Sequence, residues 1–172
     1  LRPAHLFPTF SYSSETQFIL SEDVPEGKLV TKIQASSPKK GAAGTIKYAI
    51  AGGNIRNALK IDATSGDVTV GAGRLDYETS QQYEIWVEAS DSDRPSLRSV
   101  MKLTINVTDA NDNGPLMEKM IYYAEVLEEE PPPQMVARVR ATDADSDENG
   151  QVSYRLVNDF ESAFEIDSDT GE

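Results

Sequence analysis

Oxygen ligands dominate the residues of this chain that could do chemistry, and they gather in four places. Glu22 stands just before a Pro25-Glu26-Gly27 turn. Asp76 and Glu78 are two apart in Leu75-Asp76-Tyr77-Glu78. Asn111, Asp112 and the backbone carbonyls of Ala110 and Asn113 belong to the run Asp109-Ala110-Asn111-Asp112-Asn113, and Asp143 and Asp145 are again two apart in Asp143-Ala144-Asp145. Alternate side chains of an extended segment share a face, so each spaced pair aims both carboxylates to one side. Calcium takes about six to eight oxygens from carboxylates, amides and carbonyls. The set therefore predicts a hard-cation site.

Other chemistries lack their parts. The absence of cysteine removes zinc-thiolate sites, disulfides and thiol nucleophiles together. His5 is the one histidine and sits in the first residues, leaving a Ser/His/Asp triad without a base. Gly71-Ala72-Gly73 leads into Arg74-Leu75-Asp76 and not into a helix, which argues against a phosphate loop. Asp169-Thr170-Gly171 has the letters of an aspartic-protease triplet, yet its counterpart is Thr64-Ser65-Gly66 and supplies no second carboxylate. Asp143 to Asn149 begins like an EF-hand loop, but Glu148 occupies the required Gly position and Tyr154 the bidentate Glu position. The chain is not read as an enzyme.

These ligands must be positioned by something, and a repeat says what. Glu22, Pro25, Ala35, Gly44 and Tyr48 recur 106 positions on as Glu128, Pro131, Ala141, Gly150 and Tyr154. At an offset of 105, Asp62 and Gly66 recur as Asp167 and Gly171. A repeat this long is a whole domain, not a solenoid unit. The reading is a domain over residues 1–108, a linker over 109–115 and a second domain over 116–172. The second is incomplete, having no counterpart to Gly71 through Val107, so the chain reads as a fragment of a longer protein.

Within each copy the periodicity is two. Tyr83 to Ala89 and Leu103 to Val107 alternate apolar and polar, and shorter runs cover Leu29–Ile33, Ile46–Ile50 and Val68–Val70, with Met135–Val139 and Val152–Leu156 in the second copy. Turn residues punctuate them, and no segment sustains a helical stripe. About seven short strands in about a hundred residues predict an antiparallel immunoglobulin-like β-sandwich. Tyr83, Ile85, Val87 and Ala89 form the inward set, which turns Trp86 outward with Glu84 and Glu88. An outward Trp is either covered by a neighbouring segment or an interface anchor, and Trp86 is the adhesive-contact candidate on the second reading.

Charge is divided unevenly. Residues 1–108 hold 12 acids and 12 bases while residues 109–172 hold 17 acids and 4 bases, so the whole net charge of −13 lies in the second part. That sign disfavours nucleic acid as a partner. Asn106-Val107-Thr108 is a sequon, making Asn106 a glycosylation candidate.

Together these motifs resemble the cadherin superfamily, whose extracellular repeats carry a Glu before a Pro-x-Gly turn, an L-D-x-E motif, a D-x-N-D-N linker and a D-x-D-x-x-x-N-G loop. All four occur here in order. The resemblance implies an all-β chain of tandem immunoglobulin-like Greek-key β-sandwiches, the second truncated, with about three calcium ions at the linker. It assigns Glu22, Asp76, Glu78, Asp112 and Asp145 to the two ions nearer the first repeat, and Asn111, Asp143, Asp145 and the carbonyls of Asn113 and Asn149 to the third. One further Asp of the family's set falls beyond Glu172. Six carboxylates carry −6, which three calcium ions would balance.

The implied function is calcium-dependent cell–cell adhesion, homophilic, in which calcium stiffens the linker. The implied partner is another cadherin ectodomain, the same protein on an apposed cell, and the implied location is the extracellular part of a plasma-membrane protein. A heterophilic signalling or tip-link-like cadherin, whose rod transmits force or binds a different cadherin, is the alternative. Where the second copy has Asp143 and Asp145, the first has Ser37 and Lys39. A lysine repels a cation, so the first repeat is read as the outermost. Strand exchange through a Trp near the start, as in vertebrate members, has no residue here, with Phe7, Phe10 and Tyr12 as apolar substitutes.

Overall fold

A computed structural model of the chain describes residues 6–11, 16–38, 45–129 and 131–172. His5, Tyr12, Lys39 and Gly44, singled out above, lie outside the described residues. The chain divides into two compact units, Leu1–Ala110 and Asn111–Glu172.

In the first unit β1 (Thr9–Phe10) pairs β4 (Ala35–Ser36). A four-stranded sheet follows the order β2 (Gln17–Ser21), β9 (Arg98–Thr108), β8 (Gln82–Asp91) and β5 (Ile46–Gly52). A three-stranded sheet follows the order β3 (Leu29–Lys32), β7 (Asp67–Val70) and β6 (Leu59–Ile61). Period-two patterning explains the core between them. Tyr83, Ile85, Val87 and Ala89 of β8 are fully buried, as are Leu103 and Ile105 of β9 and Val68 of β7. Each large apolar side chain so removed from water contributes about 1.5–3 kcal/mol.

One pairing departs from the antiparallel expectation. β2 runs parallel to β9, with Gln17 opposite Thr104 and Ser21 opposite Thr108. Parallel neighbours need a long crossover, and here the whole body of the sandwich lies between Ser21 and Arg98. Alternation within a strand reports which face is buried, not which way its neighbour runs.

In the second unit β10 (Leu116–Met117) pairs β11 (Ala141–Thr142) antiparallel, as β1 pairs β4. The expected strands at Met135–Val139 and Val152–Leu156 are not assigned as strands. A strand is defined by its ladder. In the first unit the partner of β5 is β8, and residues 109–172 contain no counterpart to β8.

The repeat is nevertheless visible bond by bond. The Ala35 amide donates to the Tyr48 hydroxyl at 2.8 Å, and the Ala141 amide to the Tyr154 hydroxyl at 2.9 Å. Asp62 Oδ1 accepts the amides of Thr64 and Ser65 at 2.9 and 2.7 Å; Asp167 Oδ1 accepts those of Asp169 and Thr170 at the same two distances. Asp169-Thr170-Gly171 is thus part of a capped turn. Gly66 and Gly171 follow with φ of +75° and +73°. A Cβ at Gly66 would lie 2.3 Å from the Ile33 carbonyl oxygen, and one at Gly171 2.5 Å from that of Val139, so only glycine closes these turns.

A left-handed turn also recurs. Arg56 and Asn57, in a 3₁₀ turn over Ile55–Asn57, have φ of 52° and 58°. At the 105 offset Glu161 and Ser162 have φ of 63° and 67°.

Candidate metal centre

Carboxylate oxygens of Glu22, Asp76 and Glu78 lie within 4.8 Å of one another in the first unit. Two segments bring them there. β2 delivers Glu22 directly after Ser21, and its amide bonds the Thr108 carbonyl at the end of β9 at 3.2 Å. The segment between β7 and β8 delivers the other two. Tyr83 pins this segment from below: its ring is buried in the core, and its hydroxyl accepts the Asp76 amide and donates to the Asp76 carbonyl, each at 3.2 Å. Burial raises the Tyr83 pKa above the ordinary tyrosine value, so the hydroxyl keeps its proton.

Glu22 is only 3% exposed. Burying a carboxylate is costly unless it is bonded, and both oxygens are. Oε1 accepts the Ala110 amide at 2.8 Å and Oε2 the Tyr77 amide at 2.6 Å. Each oxygen has two lone-pair directions, and one amide on each leaves the other for a cation.

Asp76 is held differently. Its Oδ1 accepts the Thr79 amide at 2.9 Å; its Oδ2 accepts the Thr79 hydroxyl at 2.8 Å and Arg56 Nη1 at 2.6 Å. These bonds, the Thr79 hydroxyl foremost, hold the Asp76 carboxyl below the usual carboxylate range against a smaller opposing effect of burial. Glu78 is exposed.

The second unit gathers its own oxygens. Asp145, 8% exposed, accepts the Asn113 side-chain amide on Oδ1 at 2.7 Å and the Asn113 backbone amide at 3.2 Å. The same Asn113 Nδ2 donates to Asp112 Oδ1 at 2.9 Å. Asp143 Oδ1 accepts the Asp145 amide at 3.0 Å, which folds the Asp-x-Asp pair into a turn. Asn149 and Gly150 close the loop through amides bonded to the Ser146 carbonyl at 3.0 and 3.3 Å. Asn111 and Asp112 are exposed.

Calcium fits this chemistry. The donors are all oxygen, several are charged, and the carboxylates of the first unit converge closely enough to share one ion. Sequence reasoning missed two contributors, Arg56 and Tyr83. The alternation in β8 placed Tyr83 inward but gave no sign that its hydroxyl reaches Asp76.

Two other candidates lie on strands. Trp86 is 47% exposed on the outer face of β8, opposite Lys102 of β9, and Val100 on the same face is 49% exposed. Ion pairs from Lys102 to Glu84 at 2.6 Å and from Arg98 to Glu88 at 3.3 Å flank it. Asn106 lies in β9 and its Oδ1 accepts Gln82 Nε2 at 2.8 Å.

A two-sheet sandwich with a carboxylate cluster around the strand before its Pro-x-Gly turn defines a class of cation-gathering, tandemly repeated β modules. The family model described as Cadherin domain matches residues 16–108 and 122–172. Protocadherin Fat 4 of Mus musculus is 40% identical over 161 residues, covering 93% of this chain and 3% of that protein. Cadherin EGF LAG seven-pass G-type receptor 2 of Homo sapiens is 38% identical over 164 residues, covering 92% of this chain and 6% of that protein. The chain thus spans a few per cent of the curated relatives it matches. Among solved structures, Drosophila N-cadherin EC1-4 superposes with a TM-score of 0.75 at 29% identity, over 96% of this chain and 39% of that one. Mouse Cadherin-23 EC22-24 gives 0.73 at 29% identity, over 96% and 52%. This chain belongs to the cadherin family, in which extracellular cadherin domains serve calcium-dependent adhesion in general.

Proposed function

We propose that this chain is part of the extracellular region of a plasma-membrane cadherin that mediates homophilic, calcium-dependent adhesion between cells, with another copy on an apposed cell as its partner. Calcium acts on stiffness. Glu22, Asp76 and Glu78 of the first unit, and Asn111, Asp112, Asn113, Asp143, Asp145 and Asn149 of the second, supply oxygens to about three ions, with the Ala110 carbonyl completing the set. The ions hold the Asp109–Asn113 linker in one geometry, and without them like charges repel it into many. The observation that carries this reading is the convergence of three carboxylates within 4.8 Å, one of them buried at 3% exposure. Ser37 and Lys39 stand where the second unit has Asp143 and Asp145, which supports placing the first repeat outermost.

Two measurements test it. Small-angle scattering of Asp112→Ala should show a broader distribution of dimensions than wild type in calcium; the same profile for wild type with calcium and with chelator would contradict the stiffening. Beads coated with the protein should aggregate in calcium and disperse in chelator, and Trp86→Ala should reduce aggregation. Coated beads that ignore one another but capture a different cadherin would replace the homophilic reading with the heterophilic one. Unchanged aggregation by Trp86→Ala would remove Trp86 from the contact.

A further inference from the structure

We infer that Arg56 is a resident counter-cation of the Glu22–Asp76–Glu78 cluster and sets its affinity for the metal, an inference that rests on the calcium reading above. The observation is a matter of lone pairs. Asp76 Oδ2 already accepts two donors, Arg56 Nη1 at 2.6 Å and the Thr79 hydroxyl at 2.8 Å. An sp² carboxylate oxygen has two lone-pair directions. Asp76 Oδ1 accepts only the Thr79 amide and keeps one direction for a cation; for Oδ2 to join it one donor must leave, and the guanidinium is the one that a cation repels whichever oxygen it takes. Arg56 Nη1 donates to Thr79 Oγ1 as well, at 2.9 Å, so the three side chains form a closed triangle on the Asp76 side of the cluster. The Arg56 side chain is 59% exposed and has water to move into when displaced.

The backbone makes this placement deliberate in the physical sense. Arg56 sits at φ 52°, a left-handed conformation unfavourable to an ordinary L-residue. From that turn, between β5 and β6, its side chain reaches Asp76, 20 positions away. The second unit keeps the turn and changes the charge: Glu161 occupies the equivalent position at φ 63°. The fold therefore holds a fixed left-handed perch whose occupant varies, a cation in one copy and an anion in the other.

The test uses calcium titration of the 172-residue chain by calorimetry, with melting in chelator to verify folding. Arg56→Asn and Arg56→Asp replace the side chain with residues that accept left-handed backbone. Exposed ion pairs correspond to about a 1.5- to 5-fold change in an equilibrium constant. Arg56→Asn is expected to bind calcium tighter by about that factor, Arg56→Asp at least as tightly as Arg56→Asn, and Arg56→Lys close to wild type. The gap between Arg56→Asn and wild type should narrow as ionic strength rises, since screening weakens a charge effect but not a steric one. Equal or weaker calcium binding by both the Asn and Asp variants would overturn the inference and make Arg56 a support for Asp76. Wild-type protein that binds no calcium would overturn the calcium reading itself, a distinct result.

Discussion

Replacing Glu22 by Gln separates the structural role this side chain plays from the metal-binding role proposed for it. As a carboxylate it accepts the Ala110 and Tyr77 amides on separate oxygens. Glutamine keeps one acceptor, and its NH₂ group then faces the other amide, donor against donor. Losing a charge-assisted bond and stranding a buried N–H costs about 1.5–3 kcal/mol. Against this stands relief of repulsion. The carboxylate oxygens lie within 4.8 Å of one another, and two unit charges at that limit repel by about 3.5 kcal/mol at an effective dielectric of 20 but by about 0.9 in water. Asp76 is neutralised in part by Arg56 and Glu78 is exposed, so the aqueous figure is the nearer one. The terms nearly offset, and in chelator Glu22→Gln should melt within a few degrees of wild type, destabilised by about 1 kcal/mol. In calcium the balance changes. A ligand at about ten to a hundred times its dissociation constant stabilises the folded state by about 1.4–2.7 kcal/mol, and Glu22→Gln should forfeit most of that. The assay is differential scanning calorimetry with and without calcium, read as the calcium-induced shift in Tm. A calcium shift in Glu22→Gln as large as in wild type would refute the placement of the ion at this cluster.

Gly66→Ala should lose about 2–4 kcal/mol, because the new Cβ meets the Ile33 carbonyl oxygen at 2.3 Å in left-handed backbone, while Gly27→Ala, left-handed with nothing within 4 Å, should lose about 1 kcal/mol; denaturant unfolding that ranks them equally would contradict this. Asp62 is held below the usual carboxylate range by the Ser65 and Thr64 amides. A lowered folded pKa contributes stability above the unfolded value, 3.8, that is lost as pH falls through the folded one. Wild type should therefore melt above Asp62→Asn near neutral pH, and the gap should close as pH falls below about 3.8; a gap independent of pH would contradict the assignment.

Much of the fold was legible because alternation is a direct consequence of one buried face. It placed Tyr83, Ile85, Val87 and Ala89 inside and Trp86 outside, where the structure has them. The Asp62 and Gly66 turn was legible through its recurrence. The parallel pairing of β2 with β9 was not, since it depends on a neighbour 87 positions away at Gln17 and Thr104 and leaves no mark on either strand's pattern. The side-chain chemistry pointed to Glu22, Asp76 and Glu78, which the structure brings together, but not by the alternation of an extended segment: residues 77–79 form a turn, with the Ser80 amide on the Asp76 carbonyl at 2.9 Å. Arg56 was not legible, because a single left-handed residue in Gly52-Gly53-Asn54-Ile55-Arg56 decides where that guanidinium goes. The runs at Met135–Val139 and Val152–Leu156 show the same limit, bonded at Val139 and Tyr154 yet without a ladder: a pattern gives a strand's faces, and only a partner gives it a ladder.

The parallel alliance of β2 and β9 has a mechanical consequence. The chain enters this ladder at Gln17 and leaves it at Thr108, the far corner, after running the same direction in both strands. Tension applied through the two ends of the first unit therefore draws β2 and β9 past each other along their length. All five residue pairs of the ladder resist together, where an antiparallel pair pulled from one end would open bond after bond like a zipper. Rupture by sliding demands that every bond fail at once, so the unit should yield abruptly at high force and not peel at low force.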